Sequence, residues 1–301
     1  MHERHTTARS GPSRANASRP DHAGSGPWRT DPSTLRLLQF TDLHLYAEPD
    51  RLLFDQCTRR TFAQVLARAQ TQHWPPDAIL FTGDLVHDER VEGYRYLRQI
   101  VDAIECPCFC LPGNHDRADL LAAEVEPGAD RDWRVEPLGP WDLLLLDSTI
   151  AGSDGGRLRP ETLEQLERYL AAAKQRPALI SVHHQPVPVG SRWIDTMQIE
   201  NGADLMALAE RHPQLRVILY GHVHQAFDRQ LGSTRLLATP STCAQFKPAS
   251  DDFALDSLRP GYRWLELAPD GHLRTGIERL TTETLGAPVR PQRVENPLSG
   301  R

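Results

Sequence analysis

The chain has 301 residues, enough for one large domain or two small ones, and a formal net charge of −6. An acidic balance argues against a nucleic-acid binder that relies on a strong positive field. The longest aliphatic run, Leu143 to Leu146, is far short of a membrane helix, and the N-terminus lacks the apolar core of a signal peptide.

Residues 1–30 are rich in Ser, Gly, Pro, Arg and His and poor in large apolar side chains. Such a segment buries too little surface to offset its ordering entropy, so residues 1–34 are expected to be a disordered tail, with His2, His5 and His22 as solvated side chains. Leu35 to Thr41 reads as a buried first strand that ends at Asp42-Leu43-His44. Thr58 to Gln70 has apolar residues at helical spacing, and Pro75-Pro76 stops it. Asp77 to Thr82 is a second strand, followed by Gly83-Asp84, and residues 92–104 suit a second helix. Cys106 to Leu111 is a third strand, leading into Pro112-Gly113-Asn114-His115-Asp116. This alternation predicts a parallel α/β sheet.

Cys106, Cys108 and Cys110 alternate along that third strand. The outer two would lie roughly 13 Å apart at strand rise, too far to share an ion, so they read as small buried hydrophobes. With Cys57 and Cys243 the cysteine count is five, an odd number that suits a reducing cytoplasm better than a disulfide framework.

Further on, Trp141 to Ser148 reads as a strand, and Pro160 opens a helix with Leu163, Leu166 and Leu170 on its apolar face. Ala178 to Val182 is a strand ending at His183-His184-Gln185-Pro186, then comes a helix over about 203–212. Leu215 to Tyr220 is a strand ending at Gly221-His222-Val223-His224. Short strands near 226–231, 235–239, 261–268 and 272–278 are expected to form an antiparallel or mixed sheet closing the second half. Residues 279–301 contain Pro288, Pro291 and Pro297 and read as a tail, leaving 35–278 as the folded domain.

Five strand ends thus present Asp42 and His44, Asp84, Asn114 and His115, His183, and His222 and His224, where open α/β sheets place ligands. Carboxylate, amide oxygen and imidazole suit Mn, Fe, Zn or Co. Residues at i and i+2 on an extended segment have Cα atoms roughly 6–7 Å apart on one face. They can therefore reach different ions of a pair about 3.5–4 Å apart. Each fragment alone is an ordinary turn or a chance match; their joint occurrence in this order, each after a strand, argues against chance.

The ordered blocks Asp-x-His, Gly-Asp, Gly-Asn-His-Asp, a His block and Gly-His-x-His resemble the calcineurin-like metallophosphoesterase superfamily over roughly residues 35–278. Within it, FTDLHLYAEPD, FTGDLVHDE, LPGNHD, HHQPVPVGSRWID, YGHVHQ and ATPSTCAQF are similar to the bacterial class III cyclic nucleotide phosphodiesterases, the cyclic AMP group. The resemblance implies a four-layer α/β/β/α sandwich of two mixed sheets with a dimetal site at the strand ends. It implies one metal, Mn or Fe foremost, held by Asp42, His44, Asp84 and His224. The second would be held by Asp84, Asn114, His183 and His222, with Asp84 bridging. The His-His-x-Pro pattern favours His183 over His184. Asn114, His115 and His224 would touch the substrate.

The implied reaction is hydrolysis of 3′,5′-cyclic AMP to 5′-AMP by a metal-bridging hydroxide. His115, not a ligand, would donate a proton to the ribose 3′ oxygen. His87 and Asp88 read equally as a solvated loop or as support for the site; His73, His212 and His272 match no block and read as structural. A Ser/Thr protein phosphatase would continue Gly-Asp to Asp-Arg-Gly and end the third block in Glu, whereas this chain has Leu85-Val86-His87-Asp88 and Asp116. A DNA repair nuclease is opposed by the acidic balance. A phosphodiesterase acting on glycerophosphodiesters uses the same ligands and stays open, as does, from another class, a non-catalytic metal-binding scaffold. The partner expected is a small cyclic nucleotide, in the cytoplasm, without nucleic acid or membrane; a homodimer is left open.

Overall fold

A computed structural model describes residues 31–128, 132–173 and 175–281. In chain order the described elements are β1 (Leu35–Phe40), the small hairpin of β2 (Leu52–Leu53) and β3 (Gln56–Cys57), α1 (Thr58–Gln72), β4 (Ala78–Thr82), α2 (Val91–Asp102), β5 (Cys108–Leu111), α3 (Ala118–Glu124), β6 (Trp133–Leu138), β7 (Trp141–Leu146), α4 (Pro160–Ala172), β8 (Ala178–Ser181), α5 (Arg192–Asp195), α6 (Gly202–Arg211), β9 (Leu215–Tyr220), β10 (Phe227–Leu231), β11 (Thr234–Ala238), β12 (Gly261–Leu267) and β13 (Leu273–Arg279). One sheet runs β13-β12-β1-β4-β5 and the other β10-β11-β9-β8-β7-β6. Each has parallel strands at its heart, β1, β4 and β5 in one and β7, β8, β9 and β11 in the other, with antiparallel strands outside them.

The apolar runs form central strands because they are buried on both faces. Side chains alternate along a strand, and the two destinations are distinct. Leu37, Leu143 and Leu145 enter the core between the sheets, with Leu179, Val217 and Leu265. Leu38 and Phe40 pack outward with Phe62 and Val65 of α1 and Tyr94 and Leu97 of α2. Leu144 and Leu146 pack outward with Leu166 and Leu170 of α4 and Leu205 and Leu208 of α6. Helix, sheet, sheet, helix is therefore the layer order, the expected four-layer α/β/β/α sandwich.

The expectation that the last four strands close the second half is corrected. β10 and β11 join the second sheet, but β12 returns to the first and pairs antiparallel with β1, Leu35 opposite Leu267. β13 continues to Arg279, and Leu280 is buried against the outer core of the first sheet, so packing runs past residue 278. The tails at 1–30 and 282–301, with His2, His5 and His22, lie outside the described residues. Cys106, Cys108 and Cys110 pack against the same outer core as Phe40, as small apolar side chains do. No helix among the described residues is long and apolar enough to cross a membrane.

Towards the strand ends, polar groups replace leucine between the sheets. Gln39 of β1 donates to Thr82 Oγ1 at 2.8 Å and to the Tyr220 carbonyl at 3.2 Å, and accepts from Thr239. Arg263 of β12 is 2 % exposed and donates to Thr239 Oγ1 at 3.0 Å and to the Ala238 carbonyl at 2.8 Å, tying the first sheet to the second. Burial lowers its pKa to about 10, still charged at neutral pH. Arg263→Leu is expected to leave these acceptors unpaired and to lower the unfolding free energy by about 1–3 kcal/mol. A urea midpoint equal to wild type would show that the tie contributes nothing.

Candidate metal centre

The strand ends meet where the two sheets face each other. Asp42 and His44 follow β1, Asp84 follows β4, and Asn114 and His115 follow β5; His183 follows β8, and His222 and His224 follow β9. Five of these residues have positive φ: Asp42 (52°), His44 (45°), Asp84 (52°), His222 (65°) and His224 (47°). Left-handed backbone is costly for such residues and concentrates at functional sites. Glycine supplies the room. A Cβ at Gly113 would collide with Asp84, and one at Gly221 would collide with Thr41 of the opposite sheet. Gly113→Ala is expected to lower kcat/KM by about 10²-fold through displacement of Asp84, with no ligand changed. Unchanged kinetics and metal content in that variant would show that the turn yields harmlessly.

The side chains converge in two groups. In the first, His44 Nε2 lies 3.2 Å from His224 Nε2 and 3.6 Å from Asp84 Oδ2, and His224 Nε2 lies 3.4 Å from Asp42 Oδ1. In the second, His183 Nε2 lies 3.3 Å from Asp84 Oδ1 and 3.2 Å from Asn114 Oδ1. Asp84 thus turns one oxygen to each group. His222 donates its backbone N–H to Asp42 at 3.1 Å, and its buried Nε2 has no hydrogen-bond partner among the described residues. His115 is not in the Asp84 groups. Its backbone N–H donates to Asp84 Oδ1 at 3.0 Å, and its half-buried ring stacks 4.7 Å from that of His87.

Tautomers follow from the outer partners. His183 Nδ1 meets the Thr82 carbonyl at 2.8 Å, and His224 Nδ1 meets the Ala244 carbonyl at 2.8 Å. A carbonyl only accepts, so each Nδ1 carries a proton and each Nε2 faces inward, where it coordinates once it holds no proton. Imidazole, carboxylate and amide converging in this way suit a cation between them, and a backbone partner on the far nitrogen is how metal-binding histidines are oriented. The donor set therefore fits a pair of divalent ions. His44 and His222 are held well below the usual histidine range by burial, so they are neutral, as ligands must be. Burial pushes Asp84 up, but the surrounding histidines outweigh it and hold the carboxylate well below its usual range. Burial pushes His183 down, but Asp84 outweighs it and draws the pKa up to about 9, so a metal ion there displaces a proton.

His184 Nδ1 lies 2.8 Å from Ser148 Oγ, and a ring nitrogen of His184 lies within 4.8 Å of ring nitrogens of His183 and His222. His87 belongs to the site rather than to a solvated loop: its Nδ1 is 3.0 Å from His44 Nδ1. Asp88 accepts from the Ala47 N–H at 2.9 Å. His73 stacks on Trp264, His212 pairs with Glu167, and exposed His272 pairs with Asp270, all away from the centre.

Two contributors went unread in the sequence. Asp116 accepts from the backbone N–H groups of Leu85, Val86 and Gly113 and from the Tyr94 hydroxyl, so it braces the turn that carries Asn114. Burial raises its pKa to about 6. Cys243 Sγ lies within 4.8 Å of ring nitrogens of His44 and His224, and burial raises its thiol to about 12. Its only signal was its place in ATPSTCAQF.

The calcineurin-like phosphoesterase family model matches residues 35–226, the span that contains all the strand-end residues from Asp42 to His224. The chain belongs to that family. Phosphoesterase relatives include the Pseudomonas aeruginosa 3′,5′-cyclic adenosine monophosphate phosphodiesterase CpdA, 42 % identical over 83 % of this chain and 92 % of the relative. The Escherichia coli (strain K12) protein of the same name is 38 % identical over 82 % of this chain and 90 % of its own length. Among solved structures, a dimetal phosphatase from Danio rerio aligns with a TM-score of 0.55 at 15 % identity, covering 77 % of this chain and 95 % of that one, a likeness of fold.

Proposed function

We propose that this phosphoesterase hydrolyses 3′,5′-cyclic AMP to 5′-AMP in the cytoplasm, with two divalent ions, Mn or Fe, as cofactors. The observation that carries the reading is Asp84, whose two oxygens face two separate ligand groups 3.6 and 3.3 Å away. The names of the relatives, matched over more than four-fifths of the chain, support the cyclic nucleotide as substrate. Asp42, His44, Asp84 and His224 would hold one ion; Asp84, Asn114, His183 and His222 would hold the other. The ions when bound activate water and neutralise phosphate charge. Asn114 meets a free oxygen of the diester, and His115 donates the proton that the ribose 3′ oxygen needs on leaving. The substrate contact expected of His224 is withdrawn, because its Nδ1 meets the Ala244 carbonyl and its Nε2 faces the metal group.

The test is product analysis with Mn²⁺ on cyclic AMP, bis(p-nitrophenyl) phosphate and a glycerophosphodiester, with Asn114→Ala as control. Asn114-dependent release of 5′-AMP with the highest kcat/KM is expected. Faster turnover of the glycerophosphodiester would move the substrate elsewhere, and turnover of none of the diesters by metal-loaded protein would leave a non-catalytic scaffold.

A further inference from the structure

Next to the metal centre lies an aromatic cluster that the chemistry at phosphorus does not use. Phe246 stacks on His224 with ring centroids 4.0 Å apart and planes at 4°. Trp193 meets Phe246 edge-on at 5.2 Å, and Phe253 meets Trp193 at 5.2 Å and Phe246 at 5.4 Å. Phe54 extends the row, 5.6 Å from Phe253. These residues come from three separate segments: the β2–β3 hairpin, α5, and the loop between β11 and β12. None is in the core; all four are half-buried. The exposed large hydrophobics among the described residues, Leu52, Leu255 and Leu258, lie on two of the same segments. The loop is pinned in place by Lys247 N–H to the Ala254 carbonyl at 2.8 Å, Asp256 N–H to the Gln245 carbonyl at 2.9 Å, and the Arg192–Asp251 pair at 3.5 Å.

A partly exposed cluster of rings beginning at a metal ligand suits a flat apolar group attached to a phosphate. Bases stack on such rings with little regard to sequence, and aromatic faces favour offset or edge contacts with them.

We propose that Trp193, Phe246 and Phe253, flanked by Phe54, form the subsite for the purine base of the nucleotide. With the phosphate at the metal centre beside His224, the base lies against the outward row of rings that begins at Phe246. This rests on the cyclic nucleotide reading and supplies its specificity: the metal ligands serve any diester, and the rings select one that carries a base.

The experiment compares cyclic AMP with abasic ribose 3′,5′-cyclic phosphate, which keeps the scissile ring and lacks the base. For Phe253→Leu, the ratio of kcat/KM for cyclic AMP to that for the abasic compound is expected to fall about 5- to 100-fold, the size of one lost base–ring stack. The change should fall mainly in KM. Trp193→Leu, which removes a second ring of the row, should lower the same ratio in the same direction. With wild-type protein, 5′-AMP should inhibit at a concentration at least about 5-fold below that of ribose 5-phosphate. A ratio unmoved in both variants, or equal inhibition by the two phosphates, overturns the base subsite while leaving cyclic AMP hydrolysis intact. Wild-type protein that turns over the abasic compound and not cyclic AMP overturns the functional reading, and the subsite with it.

Discussion

Replacing Asp84 by Ala is expected to lower kcat/KM on cyclic AMP by at least about 10³-fold and to remove metal from both halves of the centre. The size follows from geometry. Asp84 Oδ2 lies 3.6 Å from His44 and Oδ1 lies 3.3 Å from His183, so one residue serves both ligand groups. Loss of a shared ligand withdraws charge stabilisation worth several kcal/mol at the phosphate, and about 1.4 kcal/mol is tenfold in rate. The carboxylate also accepts the His115 backbone N–H at 3.0 Å, so its removal loosens the neighbouring turn. Asp84→Asn separates the two effects, since it keeps the shape and one acceptor oxygen but loses the charge. Metal counted per chain by plasma emission, beside kcat/KM, is the measurement. An Ala variant that keeps two ions and turns over normally would remove Asp84 from the bridge.

Much of this centre was legible because its chemistry is written in short local blocks. Asp42, Asp84, Asn114, His183 and His222 each follow a buried run by one to three residues, and strands buried on both faces are the easiest elements to read. What stayed hidden depends on contacts distant in sequence. β6 (WRVEPL) contains Pro137 and charged residues and is only partly buried; it is an edge strand held by β7, and nothing in its own pattern marks it. The return of β12 to β1 spans more than two hundred residues, and local periodicity carries no record of it. The left-handed turns at Asp42 and His224 are invisible for the same reason. His87 could be read as solvated until its ring was found against His44 and His115. Asp116 looked like the end of a motif, whereas its bonds are made to a turn thirty residues earlier in the chain.

His115→Ala should separate binding from proton transfer. The other histidines at the strand ends are buried, with His183 at 0 % and His224 at 3 % exposure, whereas His115 is half-buried and can meet a substrate. It is nonetheless held: its N–H bonds Asp84, and its ring stacks on His87 and lies 5.1 Å from the ring of His44. On cyclic AMP the departing group is a ribose 3′ oxygen, a poor leaving group without a proton. General-acid help is worth about 10²–10⁴-fold, and that loss in turnover is expected with both ions retained. Bis(p-nitrophenyl) phosphate releases nitrophenolate, which leaves well as the anion, so the same variant should lose much less on it. The contrast between the two substrates is the decisive measurement. Equal losses on both would make His115 a phosphate-binding residue instead of an acid, and wild-type rates on cyclic AMP would take it out of the reaction. Loss of metal alongside the rate would place the defect in the centre itself, since His115 and the Asp84 carboxylate share a hydrogen bond.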